Sequence, residues 1–334
     1  MKRTLFALFI ILSLLFSGCA GSQATQAPTA QPAATQPQVA EPTTTAPTPE
    51  VLVVPVGDTA TPDTGTPVAT ATSLPKAEMP KPLIPPLPAE PQRVEFQASD
   101  GANLVGMYYP AAVNPAPVVV LMHWAGGDKN DWVYVGMAAW LQNRGLEVPA
   151  AASNMAFDTP YAFQALPEEL SFGVFAFDFR SYGESEAVST SYAERGPLWV
   201  LDAQAAYAIA RTLEGADPER ITGIGASIGA DAVVDGCGEG CLGALSLSPG
   251  NYLGVAYSEA VQALDSLSKP VWCVATEEDS EAEPTCRAAQ GEHYAMQIYA
   301  TGGHAMTMFR ASYALQPPIE QVIQDFLKLV FELK

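Results

Sequence analysis

The sequence predicts a doubly wound α/β domain with a mostly parallel sheet across residues 89–334. Three observations carry this. Short apolar runs alternate with segments of helical character along those residues, which is the pattern of a sheet covered on both faces. Residues 270–275 are almost continuously apolar after Lys269-Pro270, as a strand buried on both faces is. Gly225-Ala226-Ser227-Ile228-Gly229 stands between an apolar run and a small-residue helical segment. A strand that turns sharply into a helix there needs small neighbours on either side of the serine.

Taken in order, strands are expected at 92–98 and 103–109, on either side of the Ser99-Asp100-Gly101 turn, and then at 117–122. A helix follows at 131–143. The interval 146–170, with Pro149, Phe157, Pro160, Tyr161, Phe163 and Pro167, is longer than an ordinary connection. It reads as a lid or a surface insertion, and it is expected away from the active face because it enters the next strand at its amino end. That strand is 173–177. Then come a helix at 198–214, a strand at 221–225, a helix at 228–236, a strand at 242–247 and a helix at 255–266. The strand 270–275, a helix at 285–291, the strand 295–300 and a helix at 317–332 complete the alternation.

A serine hydroxyl becomes a nucleophile only when a base takes its proton. The chain holds three histidines, His123, His293 and His304. The turn resembles that of the α/β-hydrolases, in whose chain order the base comes last, which excludes His123. His293 and His304 bracket the strand expected at 295–300. Sites of parallel sheets gather at the carboxyl ends of strands. His293 lies at the amino end, roughly 20 Å away at about 3.3 Å per residue, whereas His304 follows the strand through Thr301-Gly302-Gly303. His304 is therefore the expected base. Its orienting carboxylate should follow the 270–275 strand, where Glu277, Glu278 and Asp279 stand in succession. Asp279 is preferred, because the acid must loop back over the sheet edge, with Glu277 and Glu278 as alternatives. Glu281 and Glu283 match no calcium-loop spacing and read as a solvated loop.

These residues and three further motifs resemble the α/β-hydrolase superfamily of serine hydrolases, near its dienelactone-hydrolase-like and small-esterase branches. The resemblance runs over residues 92–334. Ser99-Asp100-Gly101-Ala102-Asn103-Leu104 resembles the first hairpin turn. Val118-Val119-Val120-Leu121-Met122-His123-Trp124-Ala125-Gly126-Gly127 resembles the strand and oxyanion loop usually written H-G-x-G-G. Phe177-Asp178-Phe179-Arg180-Ser181-Tyr182-Gly183-Glu184-Ser185 resembles the D-x-R-G-x-G-x-S loop. Trp124 and Ser181 each stand where a glycine is usual. Dienelactone hydrolases proper use a cysteine nucleophile, so their substrate does not carry over.

The resemblance implies an α/β-hydrolase fold with little or no cap domain and a triad of Ser227, His304 and Asp279. It implies an oxyanion hole made by the backbone amides of Ile228 and Ala125, with Trp124 as the alternative to Ala125. His123 is expected to anchor its loop by hydrogen bonds, and Asp178 and Arg180 to brace theirs by pairing. The implied activity is hydrolysis of a small-molecule carboxylic ester through an acyl-serine, with no cofactor and no metal. An amidase or peptidase, a thioesterase and a non-catalytic binding protein are the alternatives.

Location is read from the first residues. Met1-Lys2-Arg3 is charged, 4–16 is apolar but shorter than the roughly 20 residues a spanning helix needs, and Ser17-Gly18-Cys19 resembles a bacterial lipobox. The expectation is a lipoprotein signal peptide at 1–18, lipidation of Cys19 and an extracytoplasmic protein anchored to a bacterial membrane. An ordinary secretory signal or an uncleaved anchor is the alternative. Residues 19–88 are rich in Pro, Thr, Ala and Gln and are expected to be a disordered linker, because they cannot bury enough apolar area to offset ordering. The formal net charge of −20 argues against nucleic acid as a partner. Beyond Cys19, Cys237, Cys241, Cys273 and Cys286 remain. An even number in an exported chain suggests disulfides, with three connectivities open. Cys237 and Cys241 flank a tight loop, and Cys273 and Cys286 would clasp the acid loop. Buried free thiols are the alternative.

Overall fold

The computed structural model describes residues 84–152 and 154–333. The expected signal peptide, Cys19 and nearly all of the expected linker lie outside the described residues. Among the described residues eight strands form one sheet: β1 (Gln92–Gln97), β2 (Asn103–Tyr109), β3 (Ala116–Met122), β4 (Gly173–Asp178), β5 (Ala216–Ala226), β6 (Cys241–Leu247), β7 (Val271–Thr276) and β8 (Tyr294–Tyr299). Their order is β1-β2-β4-β3-β5-β6-β7-β8. Only β2 runs against its neighbours, and every pairing from β4 through β3 to β8 is parallel. β3 and β4 are buried along their whole length, which is why they read as unbroken apolar runs rather than alternating ones.

Helices cover both faces. α1 (Asn130–Tyr134), α2 (Met137–Gln142) and α7 (Ile319–Val330) pack one core in which Trp132, Leu141, Ile323 and Phe326 are buried, Phe326 meeting Trp272 of β7 at 5.9 Å. α3 (Tyr192–Ala210), α4 (Ile228–Asp235), α5 (Tyr257–Asp265) and α6 (Ala282–Ala288) pack the other through Trp199, Val233, Val261 and Cys286. Three helices depart from the sequence expectation, α6 lying three residues earlier than the 285–291 expected. The single helix expected at 131–143 is broken by Gly136 at φ 92°, a left-handed conformation that glycine adopts without steric cost. α3 begins six residues earlier than expected, at Tyr192 rather than 198, because Ser191 and Glu194 form a reciprocal capping box there.

The connections set the place of a site. From β3 the chain steps outward to β4 and then crosses back over β3 to β5, so the order reverses between β3 and β5. Crevices at such a reversal, outside the carboxyl ends of the strands, are where open α/β sheets bind ligands. The register pairs Met122 with Gly225, Ala226 with Leu247, Leu247 with Val274 and Thr276 with Tyr299. The loops that follow β3, β5, β6, β7 and β8 therefore leave the sheet along one edge.

The 146–170 interval does not lie away from that edge, contrary to the sequence expectation. Its middle crosses to the segment that follows β8. Asp158 N–H donates to the Phe309 carbonyl at 3.0 Å, Ala311 N–H donates to Asp158 Oδ2 at 2.7 Å, and the Arg310 guanidinium donates to the Ala156 carbonyl. Phe157 is buried and meets Trp124 edge-on at 6.5 Å. Local order along the chain says where a segment enters a strand. It does not say how far a long segment reaches before it does so.

Candidate active site

Ser227 sits at the turn between β5 and α4 with φ 53° and ψ −115°. A non-glycine residue there costs about 1–3 kcal/mol and persists only where its surroundings impose it. They do so here. Ser227 N–H donates to the Leu247 carbonyl at 2.9 Å, and the chain passes so close to itself that a methyl group on Gly225 would collide with the Gly229 carbonyl. A methyl on Gly229 would meet the carbonyl oxygens of Met122 and His123. The glycines of the pentapeptide thus let α4 start directly against the end of β3.

His304 Nε2 lies 2.9 Å from Ser227 Oγ, and His304 Nδ1 lies 2.7 Å from Asp279 Oδ2. The three expected residues, brought from the ends of β5, β7 and β8, form one chain of hydrogen bonds. The His304 side chain is 36 % exposed while that of Asp279 is 6 %, so the chain runs from a buried carboxylate to an imidazole that solvent reaches. Burial opposes ionisation of Asp279. Hydrogen bonds from His304, Ser248 and the Ala282 amide outweigh it and hold the carboxyl below its ordinary range.

The neighbouring acids have other work. Glu278 Oε2 accepts the amides of Gly302 at 3.2 Å and Gly303 at 3.4 Å, bracing the turn that delivers His304, and Glu277 is exposed. His293 lies at the far end of β8, paired with Asp265 at 3.1 Å. Ser248 is a site residue that the sequence reading missed. It links to Asp279 and accepts the Ala305 N–H at 2.9 Å, joining Asp279 to the residue after His304. Its signal was positional: a small polar residue at the carboxyl end of β6, between the strands that lead to Ser227 and Asp279.

The loop after β3 is anchored as the sequence reading of His123 expects. Phe179 N–H donates to His123 Nε2 at 3.1 Å, so Nδ1 carries the proton and donates to the Trp124 carbonyl at 2.7 Å. A trans peptide sets its carbonyl and the following N–H on opposite sides. The Ala125 N–H therefore faces away from His123. Among the described residues neither this amide nor that of Ile228, the first residue of α4, donates to a protein acceptor.

Asp178 and Arg180 brace their loop, but not by pairing with each other. Asp178 holds buried Lys129, whose Nζ also reaches Glu184 Oε1 at 2.7 Å. Arg180 is paired with Asp202 at 2.6 Å and Asp100 at 2.6 Å. A buried cation must be paired, and each of these two is met by two carboxylates from separate segments. The sulfurs of Cys237 and Cys241, and those of Cys273 and Cys286, lie at bonding distance. The second pair ties β7 to α6 across the loop that carries Asp279.

The strand order, the single antiparallel strand and helices on both faces define an α/β-hydrolase fold. Among solved structures the chain is similar to DcsB, captured with its substrate analogue, at 14% identity over 72% of this chain and 98% of that one, with a TM-score of 0.50. It is also similar to the esterase Pf2001 of Pyrococcus furiosus, at 18% identity over 72% of this chain and 92% of that one, with a TM-score of 0.49. At such identities the likeness is one of fold alone. The uncharacterized protein YfhR of Escherichia coli K12 is 27% identical over 157 residues, 46% of this chain and 44% of that protein. The chain thus spans about half the length of the curated relatives it matches. No model of a known protein family matches it.

Proposed function

We propose that the protein is a serine hydrolase that cleaves a carboxylic ester of a small molecule through an acyl-Ser227 intermediate. The observation that carries the reading is the unbroken chain Ser227 Oγ, His304 Nε2, His304 Nδ1, Asp279 Oδ2, at 2.9 and 2.7 Å. In this reading Ser227 Oγ attacks the ester carbonyl as His304 Nε2 takes its proton. The tetrahedral intermediate collapses, and His304 returns that proton to the leaving alkoxide. A water then deprotonated by His304 attacks the acyl-enzyme, and the acid leaves as Ser227 is reprotonated. Asp279 holds Nδ1–H and stabilises the imidazolium. The Ile228 and Ala125 amides are the proposed oxyanion donors, the loss of one such donor typically costing about 3 kcal/mol of barrier.

A fluorophosphonate probe tests the nucleophile. It should label the parent protein and not Ser227→Ala; equal labelling of the two would sink the assignment. A panel of p-nitrophenyl esters of graded acyl length, run beside peptide amides and acyl thioesters, separates esterase from amidase and thioesterase. From Ser17-Gly18-Cys19 and the composition of 19–88 we further propose a lipid-anchored, extracytoplasmic location, with residues 89–334 as the catalytic domain. Cys19→Ser should then leave the membrane fraction or fail to mature, and unchanged fractionation and processing would refute it.

A further inference from the structure

We infer that Asp131 is a positioning residue that, through the indole of Trp124, clamps the turn carrying the Ala125 amide; the inference rests on the proposed oxyanion role of that amide. Trp124 occupies a position where the resembling loops have glycine, and a glycine offers no side chain to hold. Here the indole folds back over its own turn. Its Nε1–H donates to Asp131 Oδ2 at 2.6 Å, and its ring lies so close over Gly126 that a methyl there would sit 3.0–3.2 Å from ring atoms. The Asp131 carboxylate fills the space that a side chain at Gly127 would need. The turn 124–127, whose Gly126 is exposed, is thus held between the indole and a carboxylate that is 6% exposed.

His123 anchors the start of this turn through the Trp124 carbonyl at 2.7 Å, and two further contacts close it. The backbone bond that closes the turn, Gly127 N–H to the Trp124 carbonyl, is 3.3 Å, at the weak end of the useful range. The indole–carboxylate bond is short and, when Asp131 is ionised, charge-assisted, which roughly doubles its strength. Burial pushes Asp131 up to about 6, with the Trp124 N–H opposing and the charge of Asp128 reinforcing that rise. Phe157 buttresses the indole from outside. Its own segment is tied to residues 309–311, downstream of His304. The insertion therefore supports the clamp and the base side of the site together.

The test compares Asp131→Ala, Asp131→Asn and Trp124→Phe with the parent by p-nitrophenyl ester kinetics and by amide hydrogen exchange of the peptide covering 123–127. Asp131→Ala should lower kcat roughly 10- to 100-fold with KM nearly unchanged, since misplacing a group by about 1 Å costs that much. Exchange in 123–127 should quicken by about tenfold or more without a change elsewhere. Asp131→Asn keeps an acceptor for the indole and should recover most of kcat. Trp124→Phe keeps the ring but loses the donor and should match Asp131→Ala, with the double variant no worse than either. Unchanged exchange in Asp131→Ala overturns the clamp. A kcat loss shared equally by Asp131→Asn overturns it as well, as does faster exchange with kcat intact. If the parent cleaves no ester, the hydrolase reading fails on its own, and the exchange result still decides whether Asp131 holds the turn.

Discussion

Lys129 and Asp178, both buried, meet through two atoms each: the Lys129 ammonium lies 2.7 Å from Asp178 Oδ2, and the Lys129 backbone N–H donates to Oδ1 at 2.8 Å. The pair fastens the loop after β3 to the carboxyl end of β4. Removing one member of a buried pair strands the other charge. Lys129→Met should therefore lose about 3–5 kcal/mol of unfolding free energy. Urea titration measures this, and a loss under about 1 kcal/mol would show that the pair is not what fastens the loop.

Asp279 and Glu278 should separate cleanly. Asp279→Asn replaces the carboxylate with a neutral amide that no longer fixes the His304 tautomer or stabilises its imidazolium, and it should cost about 10⁴-fold in turnover with the fold intact. Glu278→Gln still offers an oxygen to Gly302 and Gly303 and should cost less than about tenfold. Initial rates on one ester decide this, with circular dichroism to check folding. A dead Glu278→Gln beside an active Asp279→Asn would reverse the roles. Asp279 is held below the ordinary carboxyl range, so its protonation should produce no acid limb above about pH 4.

Gly229 should tolerate no side chain. A methyl there runs into the Met122 and His123 carbonyls, which are backbone atoms and cannot rotate aside. Gly229→Ala should destabilise the protein by about 1–3 kcal/mol and also slow acylation, because α4 and the loop after β3 are forced apart. Thermal unfolding and fluorophosphonate labelling rates measured on the same variant test both effects. A variant with parent-like melting and labelling would contradict the contact.

Asp231 and Asp235 lie one turn apart on α4, and burial pushes each up to about 7. A carboxyl raised in the folded state contributes stability that is full below its unfolded value, near 4, and lost as pH rises through the folded value. These two groups therefore favour the fold at acid pH and oppose it at pH 8. Asp235→Asn should raise unfolding free energy at pH 8 on the order of 2 kcal/mol and change it little at pH 4. Urea midpoints at the two pH values give the comparison, and an equal effect at both would exclude ionisation as the cause.

Much of the architecture was legible because its signals are local. The β5–α4 turn needs small residues around Ser227, and the pentapeptide supplies them. The comparison of His293 with His304 required only the strand between them and the rule that sites collect at carboxyl ends, and the structure places one against Asp265 and the other against Ser227. Ser248 was not legible, because its part depends on β6 lying between β5 and β7. The start of α3 was missed although the Ser191–Glu194 capping box stood in the sequence. The helix also accommodates Pro197, one residue before the expected start.

By itself the sequence determined the doubly wound class, the strand–turn–helix junction at Ser227 and the short list of bases and acids, since these follow from side-chain period, backbone sterics and chain order. Tertiary structure alone decided which charge meets which. Arg180 reaches Asp202, 22 residues on, and Asp100, 80 residues back, while Asp178 reaches Lys129 across 49. It also decided that Phe157 should back Trp124. Those contacts depend on how loops from separate strands converge at one sheet edge. A buried cation such as Lys129 or Arg180 needs a carboxylate beside it, and proximity in sequence carries no information about which carboxylate that is.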